Sequence, residues 1–245
     1  MGYMKIQGNK NLLNAEVVLK LYRVLDYLLF EENVIKKYFL TIRSKMLLKK
    51  IINKKIVNKI ITEFFKIKEQ LLLDLKYFYE SDPSAISLDE IKISFPGFKA
   101  IKAYRIAHVL YRFGYKVSAR IISEEAHSLT GIDINPGCNI GCPFFIDHGT
   151  GVVIGETASL GNYVKIYQGV TLGAISLKKG QLLKNRKRHP TILDNVTIYS
   201  GASIFGGETV IGNNVVIGAN TYITSSVDDN NIVTLKECGI CILKK

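Results

Sequence analysis

The sequence predicts an α+β chain, with a helical N-terminal part followed by a parallel β-helix of hexapeptide repeats. Three observations predict it. Aliphatic residues recur in steps of six through the C-terminal half. Apolar residues keep i, i+3, i+4 spacing through the N-terminal half. The two patterns meet near Leu129–Gly131.

The six-residue register runs Ile134, Ile140, Ile146; then Ile154, Leu160, Ile166, Leu172; then Ile192, Ile198, Ile204; then Ile211, Ile217, Ile223. A second small or apolar residue sits two positions earlier at Cys138, Phe144, Val152, Ala158, Val164, Val170, Val196, Ala202 and Val215. A helix needs a period near 3.6 and a two-sided strand a period of 2, so neither alone fits. Three short strands making one triangular coil do fit, with aliphatic residues stacked inside coil upon coil. Gly and Asn gather at the expected corners (Gly141, Gly155, Gly161, Asn162, Gly212, Asn213, Asn214, Gly218), where a positive φ costs them little.

The register breaks three times. Two extra residues separate Ile146 from Ile154, around His148 and Gly149. The stretch from Leu172 to Ile192 is too long for one step, so a loop carrying Lys178, Lys179, Lys184, Arg186, Lys187, Arg188 and His189 is extruded. One extra residue falls at Gly206–Gly207. Two of the four histidines, His148 and His189, therefore lie at breaks, where packing alone does not demand them.

Counting faces A, B and C from Ile134, Ile140 and Ile146 puts Asp133 at the C–A edge, with Asp147 and His148 one layer up. Layers are ~4.8 Å apart, so Asp133 can reach the His148 imidazole. Two readings stay open. One is a turn aspartate bonded to an edge histidine. The other is a carboxylate–histidine pair, in which the acid orients a general base. Arg188 and His189 fall near the A–B edge, so a complete site would be shared between neighbouring prisms of a trimer or a dimer of trimers.

Upstream, residues 11–80 read as helical, with Leu21, Leu25 and Leu28, then Ile60, Phe64, Ile67, Leu71 and Leu75, on apolar faces. Ser81-Asp82-Pro83-Ser84 and Phe95-Pro96-Gly97 interrupt them. Further helices are expected over 98–115 and 117–128. The expected domains are 1–130, helical; 131–227, β-helix; and 228–245, a tail that leaves the register after Val227.

The net charge of +12 invites a nucleic-acid, membrane or phosphate reading. The lysines are dispersed and lack interleaved aromatics, so nucleic-acid binding is not expected. Residues 1–11 carry no apolar signal-peptide core, and no stretch is long enough to span a membrane, so the expected location is the cytoplasm. The four cysteines do not make a disulfide framework. Cys138 falls at a core position, and neither it with Cys142 nor Cys238 with Cys241 is read as a metal site. His108 and His127 lie on helices and read as packing residues.

Several ordered segments resemble serine O-acetyltransferases. They are Asp133-Ile134-Asn135-Pro136-Gly137, Phe145-Ile146-Asp147-His148-Gly149-Thr150-Gly151-Val152-Val153-Ile154-Gly155-Glu156-Thr157, Gln168-Gly169-Val170-Thr171-Leu172-Gly173, Arg188-His189-Pro190, Pro96-Gly97-Phe98-Lys99-Ala100 and Tyr104-Arg105-Ile106-Ala107-His108. The resemblance spans residues 82–227 and implies a left-handed β-helix that moves acetyl from acetyl-CoA to L-serine, for cysteine biosynthesis, without a metal. It makes His148 the base and Asp133 its partner. It gives Asp82, Asp147, Arg188 and His189 to the amino acid's charged groups, with His189 or backbone N–H groups at the oxyanion. Gly173, Ala174, Ser200 and Ala219 would line the acetyl-CoA groove, with loop lysines toward its phosphates. L-cysteine is the implied feedback inhibitor.

Asn135 stands where the family usually has His. Many members dock a C-terminal isoleucine into O-acetylserine sulfhydrylase; this chain ends Cys241-Ile242-Leu243-Lys244-Lys245, so that mode of docking is not expected. A γ-type carbonic anhydrase needs three histidines at zinc, and only two lie in the β-helix. Acyltransferases acting on sugars or diaminopimelate precursors share the prism but not this combination of residues. A non-catalytic scaffold would tolerate loss of His148.

Overall fold

The computed structural model describes residues 8–235. The chain divides into two compact units, one ending at Cys138 and the other starting at Asn139. The Cys238/Cys241 pair and the C-terminal residues lie outside the described residues.

Among the described residues the first unit holds six α-helices: α1 (Gly8–Phe30), α2 (Val34–Ile51), α3 (Val57–Ser81), α4 (Leu88–Ser94), α5 (Pro96–Arg112) and α6 (Lys116–Thr130), then the short strand β1 (Asp133–Ile134). The stretch read as helical from 11 to 80 is interrupted twice. Asn33 caps α2 by accepting from the Lys36 N–H, and Asn53 accepts from the Lys55 N–H to start a 3-10 turn. Between the two Pro breaks the chain forms α4, which periodicity over seven residues is too short to reveal. Its local signal is Ser87, whose Oγ accepts from the Glu90 N–H while Glu90 reaches back to the Ile86 N–H. Pro96 opens α5, and left-handed Gly131 closes α6.

α5 is buried nearly all round, from Gly97 to Leu110. Two cations go in with it, and each is paired. Arg105 grips Asp74 of α3 through two bonds of 2.6 and 2.8 Å, and Lys102 lies 2.5 Å from Asp26 of α1. His108 packs on Tyr104, and its Nδ1 is 2.9 Å from the Pro136 carbonyl, so it belongs to the core. His127 differs from the packing expected of it. Its ring is partly exposed on α6, 3.5 Å from Glu124.

The second unit is the left-handed β-helix, with strands of two or three residues. Face A stacks β4 (Val153–Ile154), β7 (Thr171–Gly173), β10 (Ser203–Phe205) and β13 (Tyr222–Ile223). Face B stacks β2 (Asn139–Ile140), β5 (Ser159–Leu160), β8 (Thr191–Ile192) and β11 (Val210–Ile211). Face C stacks β3 (Phe144–Ile146), β6 (Val164–Ile166), β9 (Thr197–Ile198), β12 (Val216–Ile217) and β14 (Ile232–Val233). All pairs are parallel and in register, for example Ile154 with Leu172 and Leu172 with Ile204.

Such short strands form few ladder bonds, each worth about 1 kcal/mol net. Each buried aliphatic side chain contributes about 1.5–3 kcal/mol. The inner columns therefore hold the coils together. The residues two positions before the six-step register, Cys138 and Val152 to Val215 among them, are fully buried. Burial pushes the Cys138 thiol pKa up, as suits a small hydrophobe.

The register continues beyond Val227, where the sequence pattern is read as lost. Val227 bridges Ile211 on face B, and Val233, six residues on, pairs with Ile217 on face C. The step from Ile223 to Val227 is only four, so a count of six carried on from Ile223 misses the next coil.

Candidate functional site

His148 follows β3 at the corner leaving face C, where the two extra residues bulge. Its backbone is left-handed (φ 51°), followed by Gly149 at φ 87° and Gly151 at φ 78°. Among the described residues seven non-glycines take a positive φ, and five of them are asparagines: Asn185, Asn195, Asn214, Asn220 and Asn230. Asparagine and histidine both adopt this region more readily than other side chains do. His148 thus sits at a left-handed corner that its backbone can adopt, with its ring directed to solvent. Its side chain is 75% exposed, and Nε2 lies 3.7 Å from Asp147 Oδ1, longer than a hydrogen bond.

His189 sits at the A–B corner, at the end of the extruded loop, and is 8% exposed. Its Nδ1 accepts from the Thr157 backbone N–H at 3.1 Å and lies 2.8 Å from the Thr157 hydroxyl. Burial, then the neighbouring Arg188 and Lys187 charges, lower its pKa to about 4; Glu156 pulls the other way. The ring is neutral at physiological pH.

Arg188 extends to Glu156, with Nη2 2.5 Å from Oε2. The Lys187 Nζ donates to the carbonyls of Thr157 (2.8 Å) and Pro190 (3.1 Å), and burial lowers its pKa. The end of the loop is therefore clamped by one turn, Gly155-Glu156-Thr157. Sequence reasoning took Gly155 for a corner glycine of positive φ, which it does not adopt, and gave Glu156 and Thr157 no role beyond their place in a motif. Gly155 is required by contact: a Cβ there would lie 2.0 Å from His189 Cδ2 and 2.2 Å from Nε2. Gly207 serves the same loop, since its Cβ would meet the Lys187 carbonyl at 2.6 Å. The second and third register breaks are one feature, a loop and the seat cut for it.

The loop borders an open pocket of about 410 Å³ lined by Ala174, Ser176, Lys178, Lys179, Arg188 and Gly206. Gly173 and Ala174 leave the end of face A, whereas Ser200 and Ala219 follow face C, so one protomer holds these four at two different corners. Asp147 follows β3 beside His148. In the first unit, Asp82 caps the C-terminus of α3, and its Oδ1 accepts from the Ser84 N–H and hydroxyl at 2.8 and 2.7 Å. Asp133 begins β1 and is partly buried.

The fold class is that of the hexapeptide-repeat β-helix proteins. No protein-family model matches the chain. Over 138 residues, 55% of this chain, it is 52% identical to a plasmid serine acetyltransferase of Synechococcus elongatus, covering 43% of that protein. It is 46% identical to the Bacillus subtilis serine acetyltransferase over 135 residues, covering 55% of this chain and 58% of that protein. The chain spans about half the length of the curated relatives it matches. Likeness to solved structures is more extensive. Serine acetyltransferase isoform 3 from Entamoeba histolytica, in complex with cysteine, is 34% identical with TM-score 0.76 over 95% of each chain. Serine acetyltransferase from Neisseria gonorrhoeae, in complex with serine, is 32% identical with TM-score 0.68, over 90% of this chain and 82% of that one. The chain belongs to the serine acetyltransferase family.

Proposed function

We propose that the protein transfers acetyl from acetyl-CoA to the hydroxyl of L-serine, giving O-acetyl-L-serine and CoA for cysteine biosynthesis. The observation that carries this reading is His148, an exposed imidazole presented by a left-handed residue at the bulge after β3. His148 takes the serine hydroxyl proton as the oxygen attacks the thioester carbonyl. The tetrahedral oxyanion collapses, the C–S bond breaks, and the departing thiolate receives that proton back. Asp133 is the proposed partner of His148. His189 offers a hydrogen bond to the oxyanion. Asp82 and Asp147 suit the substrate ammonium, and the donors of Arg188 left over from Glu156 suit its carboxylate.

Acetyl-CoA is the proposed co-substrate, lying along Gly173, Ala174, Ser200 and Ala219 of neighbouring prisms. The pocket at Lys178 and Lys179 supports a place for its phosphates. Because His148 and His189 occupy different corners of one prism, the proposed active form is a homotrimer or a dimer of trimers. The solvent-facing apolar stripe of α2 (Val34, Ile35, Tyr38, Phe39, Met46) supports self-association of the helical unit. Among the described residues no helix is long and apolar enough to cross a membrane, which agrees with a proposed cytoplasmic location. Identifying the product by NMR tests the reading: acetyl on the serine oxygen is expected, and acetylation of a sugar or of no acceptor overturns it.

Two predictions belong here. Gly155→Ala forces the His189 ring out of its seat, and displacements near 1 Å cost about 10²-fold in rate. A kcat loss of that order, with the far-UV circular dichroism of the native protein, is expected from steady-state kinetics. L-cysteine, which carries the same charged groups as L-serine, competes with it. Serine varied at several cysteine levels shows a rising apparent KM and constant kcat; an unchanged KM at millimolar cysteine rules out competition.

A further inference from the structure

We propose that Thr157 is a positioning residue that fixes His189 as a neutral Nε2–H tautomer, so that His189 donates a hydrogen bond and cannot act as a second base. The proposal deepens the acetyl-transfer reading and rests on it for its catalytic consequence. It follows from a closed donor–acceptor count around one hydroxyl.

A backbone N–H can only donate, so the 3.1 Å bond from the Thr157 N–H makes Nδ1 an acceptor. The Thr157 Oγ1 accepts two backbone N–H groups, from Arg188 at 2.9 Å and from His189 itself at 3.1 Å. Its lone pairs are then used, and its one hydrogen remains for Nδ1 at 2.8 Å. Nδ1 faces two donors and carries no proton. A neutral ring must keep its hydrogen on Nε2, which makes no hydrogen bond to any described residue. The charged groups around the ring, Arg188, Lys187 and Glu156, leave it neutral, with a pKa of about 4. A neutral ring already protonated at Nε2 and blocked at Nδ1 has no site from which to take a proton. It can stabilise a developing oxyanion, which leaves proton transfer to His148.

The same hydroxyl also ties the loop end to the Gly155-Glu156-Thr157 turn, so a purely anchoring role must be told apart from a tautomeric one. The test uses the full chain labelled with ¹⁵N-histidine, in wild type, Thr157→Val and Thr157→Ser. The expected wild-type spectrum shows His189 with pyrrole-type Nε2 and pyridine-type Nδ1, unchanged down to about pH 5 and titrating near 4. Thr157→Val removes the hydroxyl donor and leaves only the backbone N–H on Nδ1, so a fraction of the Nδ1–H form appears beside Nε2–H and kcat falls by up to about 10²-fold, the scale of losing one oxyanion donor, with a smaller change in the KM for serine. Thr157→Ser restores the Nε2–H signature and most of kcat.

A wild-type Nδ1–H tautomer overturns the proposal, as does a Thr157→Val variant that keeps the Nε2–H form alone and wild-type kcat. A Thr157→Val protein that loses kcat while keeping the Nε2–H form alone also overturns it, in favour of anchoring. If Thr157→Val does not fold, the wild-type and Thr157→Ser spectra still decide. The wild-type tautomer is read without turnover, so an inactive protein with the expected spectrum would refute the acetyl-transfer reading and not the hydrogen-bond assignment.

Discussion

His148→Asn lowers turnover with L-serine by about 10²–10⁴-fold, the range for loss of a general base, and leaves thermal stability close to wild type. The two halves of this expectation come from the same residue. The imidazole is largely exposed and makes no hydrogen bond within 3.5 Å of Asp147, so little packing is lost with it. The left-handed backbone at φ 51° is open to histidine and to asparagine alike, and asparagine fills five such positions among the described residues. An exposed substitution of this kind changes stability by no more than about 0.5 kcal/mol. Steady-state kinetics and a thermal melt on the same preparation check both. A variant that is destabilised, or that turns over normally, contradicts the assignment.

Asp74→Ala destabilises the helical unit by about 3–5 kcal/mol, the cost of leaving one member of a buried ion pair alone. Asp74 is fully buried, and the Arg105 side chain is 3% exposed, so a guanidinium stripped of its carboxylate has no water to turn to. That loss is a large share of the ~5–15 kcal/mol typical of a native domain. Replacing both partners, as Asp74→Leu with Arg105→Met, removes the orphaned charge and recovers much of the loss. Urea denaturation of the single and double variants measures it. A single-variant loss below about 1 kcal/mol would show that the pair is not sealed from solvent.

The β-helix is legible in the sequence because each coil admits only an aliphatic or small side chain at its inner positions. Ile154, Leu172, Ile204 and Ile223 fall on one face by counting, and the strand pairing places them there. Counting also crosses the extruded loop correctly, since Leu160 pairs with Ile192. It fails at Val227, where the step is four, and it cannot show α4, which spans two turns.

The candidate site is legible in its histidines and less so in what holds them. His148 and His189 stand out because they break a pattern. Thr157 and Gly155 sit inside the pattern, and their roles arise from a loop that returns to them 32 and 34 residues later in the chain. Periodicity says nothing of where such a loop lands. The usable signal was a second irregularity at Gly206–Gly207, which becomes meaningful once paired with the loop that rests on it. Arg105 was legible only as part of a family motif, and its structural partner, Asp74, lies 31 residues away on another helix.

The most direct measurement is thiol release from acetyl-CoA, with L-serine, L-homoserine and a sugar as acceptors, run on wild type and His148→Asn side by side. Release with L-serine well above the other acceptors, reduced about 10²-fold or more in the variant, is the expected result. Equal release from wild type and variant, or no preference for L-serine, would contradict a serine acetyltransferase driven by His148.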